Sequence, residues 1–188
     1  MGLDRKIMPG RLAAMMTRRA LLAGAVGGSA GLALAPPAWA AGLPGLRWVK
    51  IVFSHTGERF NGFYFADGAY SRPAVQQFSW VCRDYRANQM MILHPWLMDI
   101  VFLLHWRYLR DEISIFSGYR TPQTNSHLEG AALNSQHMRA MALDIHVPDV
   151  NNDLVARDVA TFVYGGVGMY PGRGFVHFDF GPLRRWVG

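Results

Sequence analysis

The sequence has almost no cysteine, since Cys82 is the only one among 188 residues. A single cysteine cannot form a disulfide within the chain, so the hydrophobic core must hold the fold. Cys82 stands in a stretch with helical apolar spacing, which indicates a buried, unreactive thiol rather than a nucleophile. With 51% hydrophobic and 17% charged residues, the chain can form one globular domain.

Lysine is also scarce, and only Lys50 occurs beyond residue 40. The formal net charge is +6, but five of the 19 Lys and Arg and one of the 13 Asp and Glu lie in the first 40 residues, which leaves +2 for the rest. A nucleic-acid-binding protein needs a dense basic face to neutralise phosphates. The composition therefore argues against a nucleic-acid partner.

The N-terminal apolar run, residues 20–35, is shorter than the roughly 20 residues that span a bilayer. It follows Arg18-Arg19 and precedes Pro36-Pro37 and the small-residue cleavage pattern Ala38-Trp39-Ala40. This arrangement resembles a twin-arginine export signal. We expect residues 1–40 to be the signal and residues 41–188 to be a mature periplasmic domain, with membrane attachment only if the signal is retained as an anchor.

The apolar periodicity predicts an α+β fold, with a central antiparallel sheet flanked by helices in a single domain. Alternating patterns predict strands over residues 46–53, 60–65, 113–116, 142–147, 167–170 and 175–180. Three-to-four spacing predicts helices over residues 73–86, 95–110 and 152–164. Strands and helices do not alternate strictly, which favours this class over a doubly wound fold.

The residues that can carry chemistry lie in the last third of the chain. His137 precedes Asp144 by seven residues, and His177 and Asp179 share one face of a predicted strand, as do Asp144 and His146. If the two strands are neighbours, imidazoles and carboxylates meet on one sheet face. Two histidines and one carboxylate leave a fourth position open, as in a catalytic zinc site. The alternative is a surface histidine beside a capping or salt-bridged aspartate.

Four ordered motifs carry a resemblance to a known family. They are Ser117-Gly118-Tyr119-Arg120-Thr121-Pro122, Ser135-x-His137-x6-Asp144, Gly165-Gly166-Val167-Gly168-x-Tyr170-Pro171, and Phe175-Val176-His177-x-Asp179-x-Gly181-Pro182 followed by Arg185-Trp186. Together with the hairpin over residues 46–65, the chain resembles the YcbK-like murein endopeptidases. These belong to the zinc D-Ala-D-Ala carboxypeptidase superfamily, whose fold is shared with the amino-terminal domain of hedgehog.

The resemblance implies one zinc ion held by three residues. His137 and Asp144 match the first two ligands, and His177 matches the third. Arg120 matches an arginine near the substrate, suited to hold a peptide carboxylate or to polarise the scissile carbonyl. The alternative for Arg120 is a turn arginine paired with a neighbouring acid.

Two positions depart from the family pattern. Many members of the superfamily have an acidic residue three positions before the last zinc histidine, where this chain has Gly174. Asp179 is therefore the candidate general base, and its alternative role is to accept a hydrogen bond from His177. Ala140 stands where the usual motif has glycine, which would strain the loop if that position needs a positive φ.

The resemblance therefore implies a periplasmic zinc peptidase that hydrolyses amide bonds in the peptide stems or cross-links of peptidoglycan. It favours endopeptidase action on cross-links over trimming of a terminal D-alanine. The alternative is a catalytically weak or inactive zinc-binding module that binds cell-wall peptide or a partner. His146 matches no required motif position, and we expect it to be packed or hydrogen-bonded rather than a ligand.

Overall fold

A computed structural model describes Ala40 and residues 42–188. The predicted export signal lies outside these described residues, apart from Ala40. The strands are β1 (Arg47–Phe53), β2 (Arg59–Ala66), β3 (Ala69–Tyr70), β4 (Ile113–Ser117), β5 (Ala142–His146), β6 (Gly166–Tyr170), β7 (Phe175–Asp179) and β8 (Arg184–Val187). The helices are α1 (Arg72–Val81), α2 (Trp96–Tyr108), α3 (Pro122–Ser126) and α4 (Asn152–Phe162), with short 3-10 helices at Gln136–Arg139 and Pro171–Arg173.

The strands form one sheet in the order β3-β2-β1-β4-β5-β7-β6-β8. The α+β class is confirmed, but the sheet is mixed, because β1 pairs in parallel with β4 and β6 in parallel with β8. The β1-to-β4 connection contains α1 and α2, which is long enough for the crossover that a parallel pair needs. Strand β8 returns antiparallel to β7 and so lies parallel to β6, the hairpin partner of β7.

The hydrophobic core lies between one face of the sheet and the helices. Helix α2 packs on β1, and helix α4 packs on β6 and β7 through Val155 and Val159, which are fully buried. On β4, Ile113 and Ile115 point into this core, whereas Ser114 and Phe116 point to the other face and are partly exposed. Alternation along the strands therefore leaves the second face of the sheet free of the main helices, and the candidate site lies there.

Helix α1 begins as the sequence predicts but ends earlier. The Ser71 side chain accepts a hydrogen bond from the backbone N–H of Ala74, and Pro73 lies in the first turn. The predicted end was residue 86, but the helix ends at Val81 because the Asp84 carboxylate accepts backbone hydrogen bonds from Arg86 and Ala87 and folds the chain into a turn. The same turn leaves the Cys82 thiol fully buried, and burial raises its pKa.

None of the described helices combines the length and apolar character needed to cross a bilayer. Strand β8 and the short helix α3 were not predicted from the sequence. Each has only four or five residues and little apolar periodicity to identify it.

Candidate metal centre

Strands β5 and β7 are antiparallel neighbours, and their register places Asp144 directly opposite His177. Both side chains point to the sheet face that the main helices leave free. The third residue, His137, comes from the 3-10 helix Gln136–Arg139, which immediately precedes β5. The fold therefore brings together the three residues predicted as metal ligands, and their ligand atoms lie within 4.8 Å of one another.

Local structure fixes the orientation of His137. The Ser135 hydroxyl accepts the backbone N–H of His137 at 3.3 Å and caps the short helix. The Nδ1 atom of His137 lies 2.7 Å from the carbonyl oxygen of Gly118, which can only accept, so Nδ1 carries a proton. The other ring nitrogen, Nε2, is then left with a lone pair and lies 3.2 Å from Oδ1 of Asp144.

His177 has the complementary arrangement. Its Nε2 atom lies 2.7 Å from Oδ2 of Asp179, and its Nδ1 atom lies 2.8 Å from Oδ1 of Asp144. Nδ1 of His177 is also 3.1 Å from Nε2 of His137. When Nε2 donates to Asp179, Nδ1 presents its lone pair to the same point that the other two residues face.

These atoms fit a divalent metal ion. Two imidazole lone pairs and a carboxylate oxygen face one another in a buried site, and they repel unless a proton or a cation lies among them. Two imidazoles and one carboxylate form a ligand set that zinc accepts, with a fourth position left for water or substrate. The donor set thus provides the open coordination position that a catalytic metal requires.

The protonation states also suit a metal site. Burial lowers the pKa of the His137 imidazole. Burial acts to raise the pKa of Asp144, but His137 and His177 lower it more strongly, and the net pKa lies well below its ordinary value. For His177, burial acts to lower the pKa, but hydrogen bonds with Asp144 and Asp179 raise it above its ordinary value. A metal ion bound here would therefore compete with a proton for His177, and its binding would weaken in acid.

Arg120 lies at the edge of this cluster. Its Nη2 donates to Oδ2 of Asp144 at 2.6 Å, and its Nε donates to the Ser117 hydroxyl at 2.8 Å. Its side chain is 16% exposed, and Nη1 has no hydrogen-bond partner within the described part of the chain. Arg120 thus pairs with an acid, as one of its two predicted roles requires, and also keeps one donor for a bound molecule.

Asp179 is completely buried, and both of its oxygens have partners. Oδ1 accepts from the backbone N–H groups of Gly166 at 3.1 Å and Gly181 at 2.7 Å. Oδ2 contacts Nε2 of His177 at 2.7 Å and accepts from Arg184 at 2.6 Å. Burial acts to raise the pKa of Asp179, but His177 and the Gly181 N–H lower it to about 2. The carboxylate is therefore ionised and fully engaged.

His146 lies on the same sheet face but outside the candidate metal site, which consists of His137, Asp144 and His177. Its ring packs 6.2 Å from that of Phe116, and its buried Nδ1 has no hydrogen-bond partner among the residues the structure describes. Sequence reasoning missed three residues that contact the site: Gly118 through its carbonyl, and Arg184 and Trp186 from β8. Gly118 and Trp186 stand in or beside the family motifs, but a motif does not show which atoms contact the site, and Arg184 lies outside the motifs.

Comparison with known proteins agrees with this arrangement. A family model described as peptidoglycan L,D-endopeptidase MepK matches residues 42–186. The chain is 34% identical over 177 residues to peptidoglycan L,D-endopeptidase MepK of Escherichia coli K12, covering 90% of this chain and 96% of that protein. It is 32% identical over 140 residues to the probable peptidoglycan L,D-endopeptidase MepK of Haemophilus influenzae, covering 71% of this chain and 75% of that protein.

No solved structure gives a significant match to the chain. The family match extends over almost all of the described residues and includes all three residues of the candidate metal site. The E. coli relative is aligned along nearly its whole length, so the likeness is not limited to a shared motif. The chain therefore belongs to the family described as peptidoglycan L,D-endopeptidase MepK, a YcbK-like murein endopeptidase family.

Proposed function

We propose that this protein is a zinc-dependent endopeptidase that hydrolyses an L,D amide bond in the peptide cross-links of peptidoglycan. Membership of the family makes it a peptidoglycan peptidase, and the relatives' names specify an L,D-endopeptidase. The observation that carries the metal assignment is the convergence of His137 Nε2, Asp144 Oδ1 and His177 Nδ1 on one point. Zinc bound there would supply a Lewis acid for the scissile carbonyl and lower the pKa of the attacking water.

Arg120 is proposed to serve both the site and the substrate. Its hydrogen bond to Oδ2 of Asp144 leaves Oδ1 facing the two histidines. Its free Nη1 donor is available to a substrate carboxylate or carbonyl, which a planar guanidinium binds well. Arg120 thus fixes a ligand and orients the peptide.

Asp179 is proposed to orient His177 rather than to move protons. A general base must reach the water or the leaving group, but Asp179 has no exposed surface, and every oxygen already accepts hydrogen bonds. A carboxylate that accepts from the outer nitrogen of a metal-binding histidine fixes the tautomer and the angle of the ring. This is the second of the two roles predicted from the sequence.

The test is digestion of purified, cross-linked muropeptides by the full-length protein with zinc, analysed by mass spectrometry. We expect an uncross-linked product whose mass identifies the cleaved bond. His137→Ala should give no product, whereas His127→Ala, which alters an exposed histidine outside the cluster, should cleave like the wild type. Absence of product from folded, zinc-loaded wild type would contradict the proposal and favour the non-catalytic module.

We also propose that the protein works in the periplasm, where peptidoglycan lies. Arg18-Arg19 and the apolar run that follows support export by the twin-arginine route. Cell fractionation tests this, because an Arg18→Lys, Arg19→Lys double variant should accumulate in the cytoplasm. Normal export of that variant would contradict the proposed route.

A further inference from the structure

Strand β8, at the edge of the sheet, lies two strands away from the metal ligand His177. It pairs in parallel with β6, so that Arg184 lies beside Gly166 and Trp186 beside Gly168. On its other side β6 pairs with β7, where Gly168 lies opposite His177. Strand β6 therefore separates the β8 side chains from the metal site.

The two glycines let the β8 side chains cross this gap. A Cβ at Gly166 would lie 2.5 Å from Oδ2 of Asp179 and 2.8 Å from Cζ of Arg184. A Cβ at Gly168 would lie 2.2 Å from Cε2 of Trp186. Each of these distances is far below a normal contact, so any side chain at either position would displace the β8 residue that lies over it.

Arg184 uses this space to hold Asp179. Its Nη2 donates to Oδ2 at 2.6 Å and its Nη1 donates to Oδ1 at 3.2 Å, the paired geometry of a guanidinium on a carboxylate. Nη1 of Arg184 also donates to the Pro182 carbonyl at 3.0 Å, which is the third hydrogen bond of the guanidinium. Arg184 thus fixes both oxygens of the carboxylate that accepts from Nε2 of His177.

Trp186 confines the same histidine from another side. Its ring lies 5.2 Å from that of His177, and its Nε1 donates to the Tyr170 hydroxyl at 2.9 Å. With Asp179 on Nε2 and Trp186 beside the ring, His177 has little freedom to rotate. Its Nδ1 then stays directed at Asp144 and His137.

We propose that Arg184 and Trp186 are positioning residues of the metal centre, which hold His177 in the orientation that binds the metal. This inference rests on the part of the proposed function that gives His177 a metal ligand's role. It assigns a function to the last strand of the chain and explains why β6 has glycine at two alternate positions. Neither β8 residue touches the three ligand atoms, so both act through other side chains.

The test is the zinc affinity of the full-length protein, measured by competition with a chromophoric chelator. Loss of a residue that orients a metal ligand typically weakens metal binding about 10- to 100-fold, and we expect this of Arg184→Met. Arg184→Lys keeps the charge but cannot bond both oxygens of Asp179. Its zinc affinity should therefore fall between those of the wild type and Arg184→Met. The matched control is Arg157→Met, on the exposed side of α4, which should bind zinc like the wild type.

Circular dichroism and urea unfolding separate positioning from folding. If Arg184→Met is folded and binds zinc as tightly as Arg157→Met, the proposal is wrong. If Arg184→Met fails to fold, Arg184→Lys decides, and wild-type affinity there overturns the proposal. Trp186→Phe should show a smaller loss of zinc affinity, because it keeps an aromatic ring without the bond to Tyr170.

Activity gives a second readout. Saturating zinc should restore most of the cleavage rate of Arg184→Met, with the KM for muropeptide unchanged, because the defect lies in holding the metal. A raised KM at saturating zinc would instead give Arg184 a role in substrate binding and overturn the proposal. Zinc affinity needs no cleavage, so wild type that binds zinc but cleaves nothing would contradict the proposed function alone.

Discussion

At the scale of single residues, Arg120 contacts Asp144 of the candidate metal site and keeps a free donor, which we propose binds the substrate. Its hydrogen bonds to Asp144 and Ser117 use two of its donor atoms and fix the plane of the guanidinium. A lysine has one nitrogen at the end of a flexible chain and cannot reproduce this geometry. Replacing Arg120 with lysine therefore keeps the positive charge but removes the planar hydrogen-bonding geometry, so the two effects on activity can be separated.

We predict that Arg120→Lys lowers kcat/KM on cross-linked muropeptides about 10- to 100-fold, since a lost hydrogen bond to a charged group is worth about 1.5–3 kcal/mol. Steady-state kinetics with product analysis measures the effect. Arg86→Lys, at an exposed arginine, is the control and should change little. Wild-type kcat/KM in Arg120→Lys would show that the charge alone suffices.

Ala140 has a backbone conformation that the sequence alone could not predict. It has a φ of 56° and a ψ of 33°, so the position where the family motif has glycine does take the left-handed conformation. An alanine there costs about 1–2 kcal/mol. The conditional prediction of strain was correct, but the sign of φ could come only from the structure.

At the scale of elements, the turn that ends α1 supports the loop that carries Arg120. The Asp84 carboxylate accepts hydrogen bonds from the backbone N–H and the hydroxyl of Thr121, both at 2.8 Å. A Cβ at Gly118 would lie 2.3 Å from the carbonyl oxygen of Cys82, so this glycine allows the two segments to pack closely. The turn thereby positions the Gly118 carbonyl that binds His137.

The pH dependence of the unfolding free energy should show how strongly the Asp84 carboxylate stabilises this turn. Burial acts to raise the pKa of Asp84, but hydrogen bonds with Thr124 and Thr121 lower it below its ordinary value. The folded protein then binds this proton less readily than the unfolded chain, so Asp84 stabilises the fold above the unfolded pKa of about 3.9. That contribution is lost as the pH falls from there through the folded pKa.

Asp84→Asn should therefore cost about 2 kcal/mol of unfolding free energy at pH 7, and the difference from wild type should shrink below pH ~4. Urea unfolding between pH 7 and pH ~3 measures it. Asp67→Asn, at an exposed turn aspartate, is the control. A difference that stays constant down to the lowest pH would mean that the Asp84 carboxylate is not held in its ionised form.

The end of helix α2 gives a second prediction at this scale. Leu109 follows the helix in the left-handed conformation, with a φ of 52°, and its side chain is 87% exposed. Leu109→Gly should raise the unfolding free energy by about 1 kcal/mol, because glycine takes this cap conformation without the steric cost. Leu133→Gly is the matched control: Leu133 is 90% exposed without a positive φ, so that change should not stabilise. Equal effects in the two variants would contradict this explanation.

At the scale of the whole molecule, a buried ion pair joins the first strands to helix α2. Asp99, in the first turn of α2, has no exposed surface and accepts from Arg47 at 2.8 Å, Tyr64 at 2.7 Å and Tyr70 at 2.5 Å. The Arg47 guanidinium also lies 3.9 Å from the centre of the Phe65 ring. The network is far from the metal cluster in sequence but fixes the sheet edge against the helix layer.

Arg47→Met should lower the unfolding free energy by about 3–5 kcal/mol, because it leaves a buried carboxylate without its cation. Arg59→Met removes the half-exposed pair with Glu112 and should cost less than about 1 kcal/mol. Urea unfolding of both variants gives the comparison. Similar losses in the two would show that burial does not set the strength of the Arg47 pair.

Most of the fold and the three-residue cluster followed from the sequence, because alternation along β5 and β7 and the family motifs mark them. The contacts of Arg184, Trp186 and the Gly118 carbonyl did not, because they depend on which strands become neighbours and on how closely backbones approach. The parallel pairing of β1 with β4 and of β6 with β8 likewise depends on tertiary packing. The early end of α1 was missed because Asp84 bonds local backbone groups that compete with the helix.

The most direct test of the proposed zinc site is zinc-edge anomalous diffraction from crystals of the zinc-loaded, full-length protein. We predict one zinc peak at the cluster, bound by Nε2 of His137, a carboxylate oxygen of Asp144 and Nδ1 of His177, with Nε2 of His177 still on Asp179. Zinc at another site, or bound through Nε2 of His177, would contradict the account, because that arrangement would require Asp179 to release the histidine.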